Sequence, residues 1–220
     1  MNFEEARFNM VEQQIRPWEV LDQHVLDALM TVRREEFVPQ QYRQLAFAET
    51  PVPIGCGQVM LPPILEGKVL QALATHRASS VLEIGAGSGH FAALLATRAD
   101  WVRTLEIEPE LANFATDNIN RAGVPNVIVE QGDGMQGWAD RGPYDIIVVS
   151  GGVREVPQVL LEQLKVGGRL FAFVGEAPVM KGRLMVHLEG GRFQVQDVFE
   201  TLVPMLRSSE PVRAASTFKF

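Results

Sequence analysis

Three glycines at alternate positions, Gly85, Gly87 and Gly89, stand between the apolar run Val81-Leu-Glu-Ile84 and the helix-like Ala92-Ala-Leu-Leu-Ala96. A strand that passes through such a loop into a helix is a cofactor-binding unit. Glycine lets the backbone take turn conformations that other residues avoid, and it leaves no side chain between the loop and a bound nucleoside. The next apolar run, Trp101-Val-Arg-Thr-Leu105, ends at Glu106, 21 residues beyond Gly85. A carboxylate there can accept hydrogen bonds from both ribose hydroxyls. The pattern predicts a nucleoside site made from Gly85, Ala86, Gly87, Gly89, Glu106 and Ile107.

Strand and helix patterns alternate from this loop to about Val174. Val127-Ile-Val129 reads as a third strand and Tyr144-Asp-Ile-Ile-Val-Val149 as a fourth. Leu160-Leu-Glu-Gln-Leu-Lys165 reads as a helix, followed by a Gly167-Gly168 turn and a fifth strand. Arg183–Leu188 and Phe193–Phe199, joined at Gly190-Gly191, predict an antiparallel pair. The expected fold is α/β: a doubly wound, mainly parallel seven-stranded sheet with an N-terminal helical cover. Ligands in such sheets bind at the C-terminal ends of the strands.

Ahead of the sheet, Leu21, Val25, Leu26 and Leu29 recur at helical spacing, which predicts a helix opening near Pro17 and ending before Arg33. Residues 37–63 are rich in proline and glycine and predict a long ordered loop, and a helix follows from Ile64 to Ala74. At 220 residues the chain suits one domain, given a prior of roughly 150 residues per domain. Residues 1–79 are expected to pack as helices and a substrate loop on a core formed by residues 80–220.

A formal net charge of −7 argues against nonspecific nucleic-acid binding, which needs many cationic contacts to phosphates. Arg33-Arg34 followed by Glu35-Glu36 reads as a solvated helix end. The one cysteine, Cys56, excludes an intrachain disulfide and reads as a small apolar filler. No segment approaches the ~18 uninterrupted apolar residues of a membrane span, and Met1–Arg7 has no basic-then-apolar signal pattern, so a cytoplasmic protein without a membrane partner is expected. His24, His76 and His187 lack ligand-like spacing, and no metal is expected. His90, in the first turn after the glycines, is expected to pack or make an edge contact.

A nicotinamide site would place its glycines as G-x-G-x-x-G, to seat a pyrophosphate on the helix N-terminus. Here the spacing is G-x-G-x-G preceded by Glu83, which resembles the first motif of class I S-adenosylmethionine-dependent methyltransferases. In that resemblance Glu83 braces the loop or approaches the cofactor's amino end. Gly132-Asp133-Gly134, after the third strand, falls where such enzymes often place an acid on the adenine amino group. The resemblance implies S-adenosylmethionine as cofactor, S-adenosylhomocysteine as product and no metal.

Outside these motifs the chain resembles one family, the protein-L-isoaspartate O-methyltransferases. The resemblance rests on Val20-Leu-Asp22, Val25-Leu-Asp-Ala28, Arg34-Glu-Glu-Phe-Val-Pro39, Pro51-Val-Pro-Ile-Gly55 and Gly57-Gln58, then Gly137-Trp138, Pro143-Tyr-Asp145 and Leu160–Lys165. It implies methyl transfer to the carboxylate of isoaspartyl residues in damaged proteins or peptides. It places the substrate pocket at Gln58, Val59, Met60, Leu61 and Leu206, and lets Glu49 orient the substrate loop. The family reads roughly Thr-Ile-Ser-Gln-Pro after its Gly-Gln, and the serine lies in its active site. Leu61 stands at that catalytic position, and Leu206 replaces a second family hydroxyl, so the substrate loop is divergent. Three readings stay open on the sequence: isoaspartyl repair, a methyltransferase with a changed acceptor such as a small molecule, and a noncatalytic S-adenosylmethionine-binding module.

Overall fold

The computed structural model describes residues 1–74 and 78–209. Its centre is a seven-stranded sheet in the order β5-β4-β3-β6-β7-β8-β9, with β3 Ala78–Ile84, β4 Ala99–Glu106, β5 Val127–Gln131, β6 Tyr144–Val153, β7 Leu164–Glu176, β8 Val179–Leu188 and β9 Arg192–Thr201. The pairings from β5 through β7 are parallel, and β8 runs antiparallel to both of its neighbours. The expected terminal pair is therefore present and longer than the pattern indicated. The expected Gly167-Gly168 turn is a bulge: pairing passes from Tyr144↔Leu164 to Ile146↔Arg169. The helix before it, α6 Gln158–Glu162, ends short of the expected Lys165.

Alternation along the central strands loads both faces of the sheet. Val81, Ile146, Val148, Phe171 and Phe173 belong to one buried cluster, and Leu82, Ile84, Ile147, Val149, Leu170 and Ala172 to the other. A strand covered on both faces must be apolar at nearly every position, as these are. The first cluster joins the sheet to α2 Gln23–Thr31, α3 Pro63–Leu73, α4 His90–Ala96 and α5 Pro109–Ala122. The second is closed by α6 and by Met135 and Trp138. Met10, Ile15, Leu26, Leu29 and Phe37 lie in the same cluster as the sheet residues, so the N-terminal cover shares the core.

Three local expectations need correction. Helix α2 begins at Gln23, where the Asp22 side chain accepts the His24 N–H at 2.9 Å, and Pro17 sits in a separate 3-10 turn, Arg16–Trp18. An N-cap oxygen is the stronger start signal, because it satisfies a donor that the helix leaves free. Residues 37–63 carry a 3-10 stretch Gln40–Leu45 and a two-stranded hairpin, β1 Val52–Gly55 with β2 Gln58–Met60. The Arg33–Glu36 segment is not a solvated end, because Arg34 and Glu35 are buried, each in an ion pair.

Candidate active site

The loop leaving β3 is held by the backbone of β4. The N–H groups of Gly85 and Ala86 donate to the Leu105 carbonyl at 2.8 and 3.0 Å, and Asn118 Nδ2 donates to the Ser88 carbonyl at 2.9 Å. Gly85, Gly87 and Gly89 have φ of +93°, +52° and +82°, in the region that only glycine enters without strain. Gly89 also lets α4 approach α5: a Cβ there would lie 3.2 Å from the Ala115 carbonyl oxygen.

Glu106, at the end of β4, is nearly buried and accepts the Gly87 N–H at 2.8 Å and the Glu108 N–H at 3.1 Å, one on each oxygen. A carboxylate oxygen offers more than one acceptor site, so this leaves capacity for hydroxyl donors from a ligand. Glu83 is fully buried and accepts Ser150 Oγ and Thr104 Oγ1, each at 2.7 Å. Burial pushes its carboxyl up to about 8 against the relief those hydroxyls provide, and the nearby Glu66 and Glu106 charges add to the rise.

Glycine loop and hairpin line one cleft. Gly85, Gly87, Glu106, Ile107, Gly132 and Gly134 form one wall, and Gln58, Val59, Leu61 and Leu206 another. An adjoining space is lined by Met60, Leu61, Glu83, Ala86 and Ser150. The lining, apolar with a few convergent polar groups, has the character of a small-molecule site.

Sequence patterning did not reveal the strap that runs from Val203 to Ser209. Its backbone joins β6, with Gly152 N–H to the Pro204 carbonyl at 2.8 Å and Leu206 N–H to the Gly152 carbonyl at 2.9 Å. Leu206 lies over Gly85 and Gly151, where any Cβ would meet it within 3.0 Å. Asp133 caps a 3-10 turn through the Met135 N–H, and its other oxygen accepts Ser208 Oγ, Ser209 N–H and Ser209 Oγ at 2.7, 2.8 and 2.8 Å. Burial alone would raise the Asp133 carboxyl, but these donors hold it below the usual carboxylate range. Its side chain is thus engaged by the strap, while its neighbours Gly132 and Gly134 line the cleft.

Arg207 completes the strap, pairing with Glu108 and donating to the Cys56 carbonyl at 3.0 Å. Cys56 packs against the first core cluster, as a small filler does. It sits half-buried at the hairpin turn with φ +50° and its Sγ 3.4 Å from Glu110. Glu49 accepts the Ile64 N–H at 3.1 Å at the start of α3. His90 makes the expected edge contact, 5.2 Å from the Phe37 ring, and also lies 3.0 Å from Glu66. His76 lies outside the described residues, and among those described no group of side chains could hold a metal ion. No described helix is long and apolar enough to cross a membrane.

Comparison with known proteins sets this geometry among its relatives. The family model for protein-L-isoaspartate(D-aspartate) O-methyltransferase matches residues 5–207. A protein-L-isoaspartate O-methyltransferase 2 of Anaeromyxobacter sp. is 43% identical over 167 residues, 76% of this chain and 69% of the relative. A protein-L-isoaspartate O-methyltransferase of Opitutus terrae is 42% identical over 179 residues, 80% and 77% of the two chains. Among solved structures, a Plasmodium falciparum protein described as a protein-L-isoaspartate O-methyltransferase, in complex with S-adenosyl-L-homocysteine, shares the fold. Its TM-score is 0.78 at 19% identity, over 94% of this chain and 99% of that one.

Proposed function

We propose that this chain, which belongs to the protein-L-isoaspartate O-methyltransferase family, transfers the methyl group of S-adenosylmethionine to the carboxylate of isoaspartyl residues in damaged proteins and peptides. The observation that carries the reading is one cleft with the Gly85–Gly87 loop and Glu106 on one side and the Val59–Leu61 segment on the other. S-adenosylmethionine, when bound, supplies a methyl group already activated on a sulfonium. The residues present fit such a group: Gly85, Gly87, Gly132 and Gly134 line the cleft, and Glu106 keeps acceptor capacity for ribose hydroxyls.

An isoaspartyl carboxylate is an anion near neutral pH, so neither a general base nor a metal is required. The chain's task is alignment and the exclusion of water, which makes the anion a better nucleophile. Val59, Leu61 and Leu206 supply an apolar wall against the acceptor, and Gln58 supplies a polar group at its side. Gly132 and Gly134 line the cleft on either side of Asp133 and would hold the adenine there, the Asp133 Oδ2 being engaged by the strap serines.

Glu83 gives this site a pH dependence. With its carboxyl at about 8 in the folded protein and 4.5 ordinarily, the folded state holds an extra proton between those values, so the stability of the ligand-free protein falls as pH rises from about 5 to 8. A cationic cofactor favours the ionised form. Its affinity is expected to rise with pH up to about 8, by at most about tenfold per pH unit, with release of a proton. Calorimetry in buffers of different ionisation heat reads that proton, and Glu83→Gln should remove both slopes. A wild-type affinity flat from pH 6 to 8 would sink the assignment.

The deciding experiment is transfer of labelled methyl from S-adenosylmethionine to an isoaspartyl peptide and to its aspartyl counterpart. Selective labelling of the isoaspartyl peptide is expected. Tight cofactor binding with no labelling would overturn that specificity in favour of a changed acceptor, the reading that the two leucines Leu61 and Leu206 in the wall would then support. Restoring the hydroxyl with Leu61→Ser should raise kcat/KM for the isoaspartyl peptide about tenfold or more, since a hydrogen bond to a charged group contributes about 1.5–3 kcal/mol.

A further inference from the structure

We propose that Arg34 is a positioning residue for the methyl acceptor, fixing the acceptor wall to the helix that follows the glycine loop. Its guanidinium meets four groups, one of them His90, whose Nδ1 lies 3.4 Å from Nη1. Nε donates to the Ala46 carbonyl at 2.7 Å, Nη2 donates to the carbonyl of Leu61, and Nη1 pairs with Glu66. The second Glu66 oxygen lies 3.0 Å from Nδ1 of His90, the first residue of α4 and the immediate successor of Gly89. The side chains of Arg34, Glu66 and His90 are each no more than 2% exposed. The contact with a carboxylate assigns the His90 Nδ1 proton as the donor.

The cluster thus spans both halves of the site. Leu61 belongs to the wall that faces the acceptor, and α4 starts where the cofactor loop ends. Nothing comparable is needed to hold the core together, because a buried ion pair replaced by apolar residues of similar volume often leaves stability unchanged or improved. Apolar replacements could fill the volume, but they could not donate to the Leu61 carbonyl. A guanidinium can do so while also meeting Ala46 and Glu66, since it presents five donors in a rigid fork. Because Leu61 carries no hydroxyl, this wall is set through its backbone. Glu49, accepting the Ile64 N–H, fixes the same segment three residues on.

The proposal rests on the methyltransferase reading for its catalytic readout but not for its structural one. Two variants test it. Arg34→Lys keeps a cation opposite Glu66 but loses the fork. Arg34→Met with Glu66→Leu removes both charges and leaves an apolar cluster that can fold. For Arg34→Lys, which keeps Glu66, cofactor affinity by calorimetry is expected to stay within threefold of the wild type, and for both variants KM for the isoaspartyl peptide rises at least tenfold. A purely structural role would lower kcat with the fraction of active protein and leave KM unchanged. A KM within twofold of the wild type in the double variant overturns the proposal.

Amide hydrogen exchange supplies the second readout. Residues 59–65 should exchange at least tenfold faster in the double variant, with the sheet strands unchanged, and unchanged exchange in that segment also overturns the proposal. If the wild type labels no isoaspartyl peptide, the isoaspartyl reading fails by itself and exchange still decides whether Arg34 sets the wall.

Discussion

Valine at position 87 is expected to weaken S-adenosylhomocysteine binding at least 100-fold while leaving the sheet folded. Gly87 has φ +52°, where a β-branched residue is a genuine outlier. A Cβ there would sit 3.1 Å from Ile54 Cδ1, and the branched methyls would extend into the cleft between loop and hairpin. The same residue's N–H holds Glu106 at 2.8 Å, so a shift of the loop also misplaces the carboxylate proposed to accept from the ribose. Strain of this kind costs about 1–3 kcal/mol, and loss of ligand contacts adds to it. A factor of 100 needs only about 2.8 kcal/mol. Titration calorimetry on the variant, with circular dichroism to establish folding, measures this. Affinity within threefold of the wild type would refute the site.

The largest stability effect is expected from Glu66→Leu alone. Arg34 is completely buried, and desolvation already holds its guanidinium below the usual arginine range against the opposing Glu66 and Glu49 charges. Without Glu66 that charge loses its ion-pair partner, and an uncompensated buried charge costs about 3–5 kcal/mol. Total stabilities of domains are about 5–15 kcal/mol, so the single variant should unfold at much lower denaturant. Adding Arg34→Met removes the stranded charge and should recover part of the loss, the Ala46 and Leu61 carbonyls being left without that donor. Urea melts of the single and double variants decide it: a single variant within about 1 kcal/mol of the wild type would mean the pair is not the buried unit described.

What could be read from the sequence was what local rules govern. Gly85, Gly87 and Gly89 announced themselves because positive φ at three alternating positions admits hardly any other residue. The strands were legible because burial on both faces demands unbroken apolar runs, and the reversed pair because Gly190-Gly191 interrupts two alternating segments. The acceptor wall came from family resemblance, since nothing in Val59-Met60-Leu61 marks it as a site. Arg34 and Glu35 were misread for a physical reason: charged residues are almost never buried unless paired, and their partners Glu66 and Arg7 lie 32 and 28 residues away. The β1–β2 hairpin escaped notice because its turn carries Cys56 at positive φ between two glycines, which reads simply as loop. The serines on Asp133 escaped likewise, at separations of 75 and 76 residues.

The strap has a consequence for how the molecule comes into being. Arg207 reaches the Cys56 carbonyl 151 positions earlier in the chain, and Ser208 reaches back to Asp133 over 75. All seven strands precede the strap in the chain, so the sheet can pair before any of these contacts exists. A nascent chain ending at Thr201 would have its sheet and glycine loop but lack one wall of the cleft. Ligand that needs both walls of the cleft stabilises only molecules whose strap is in place, so occupancy reports on residues 203–209 as well as on the glycine loop.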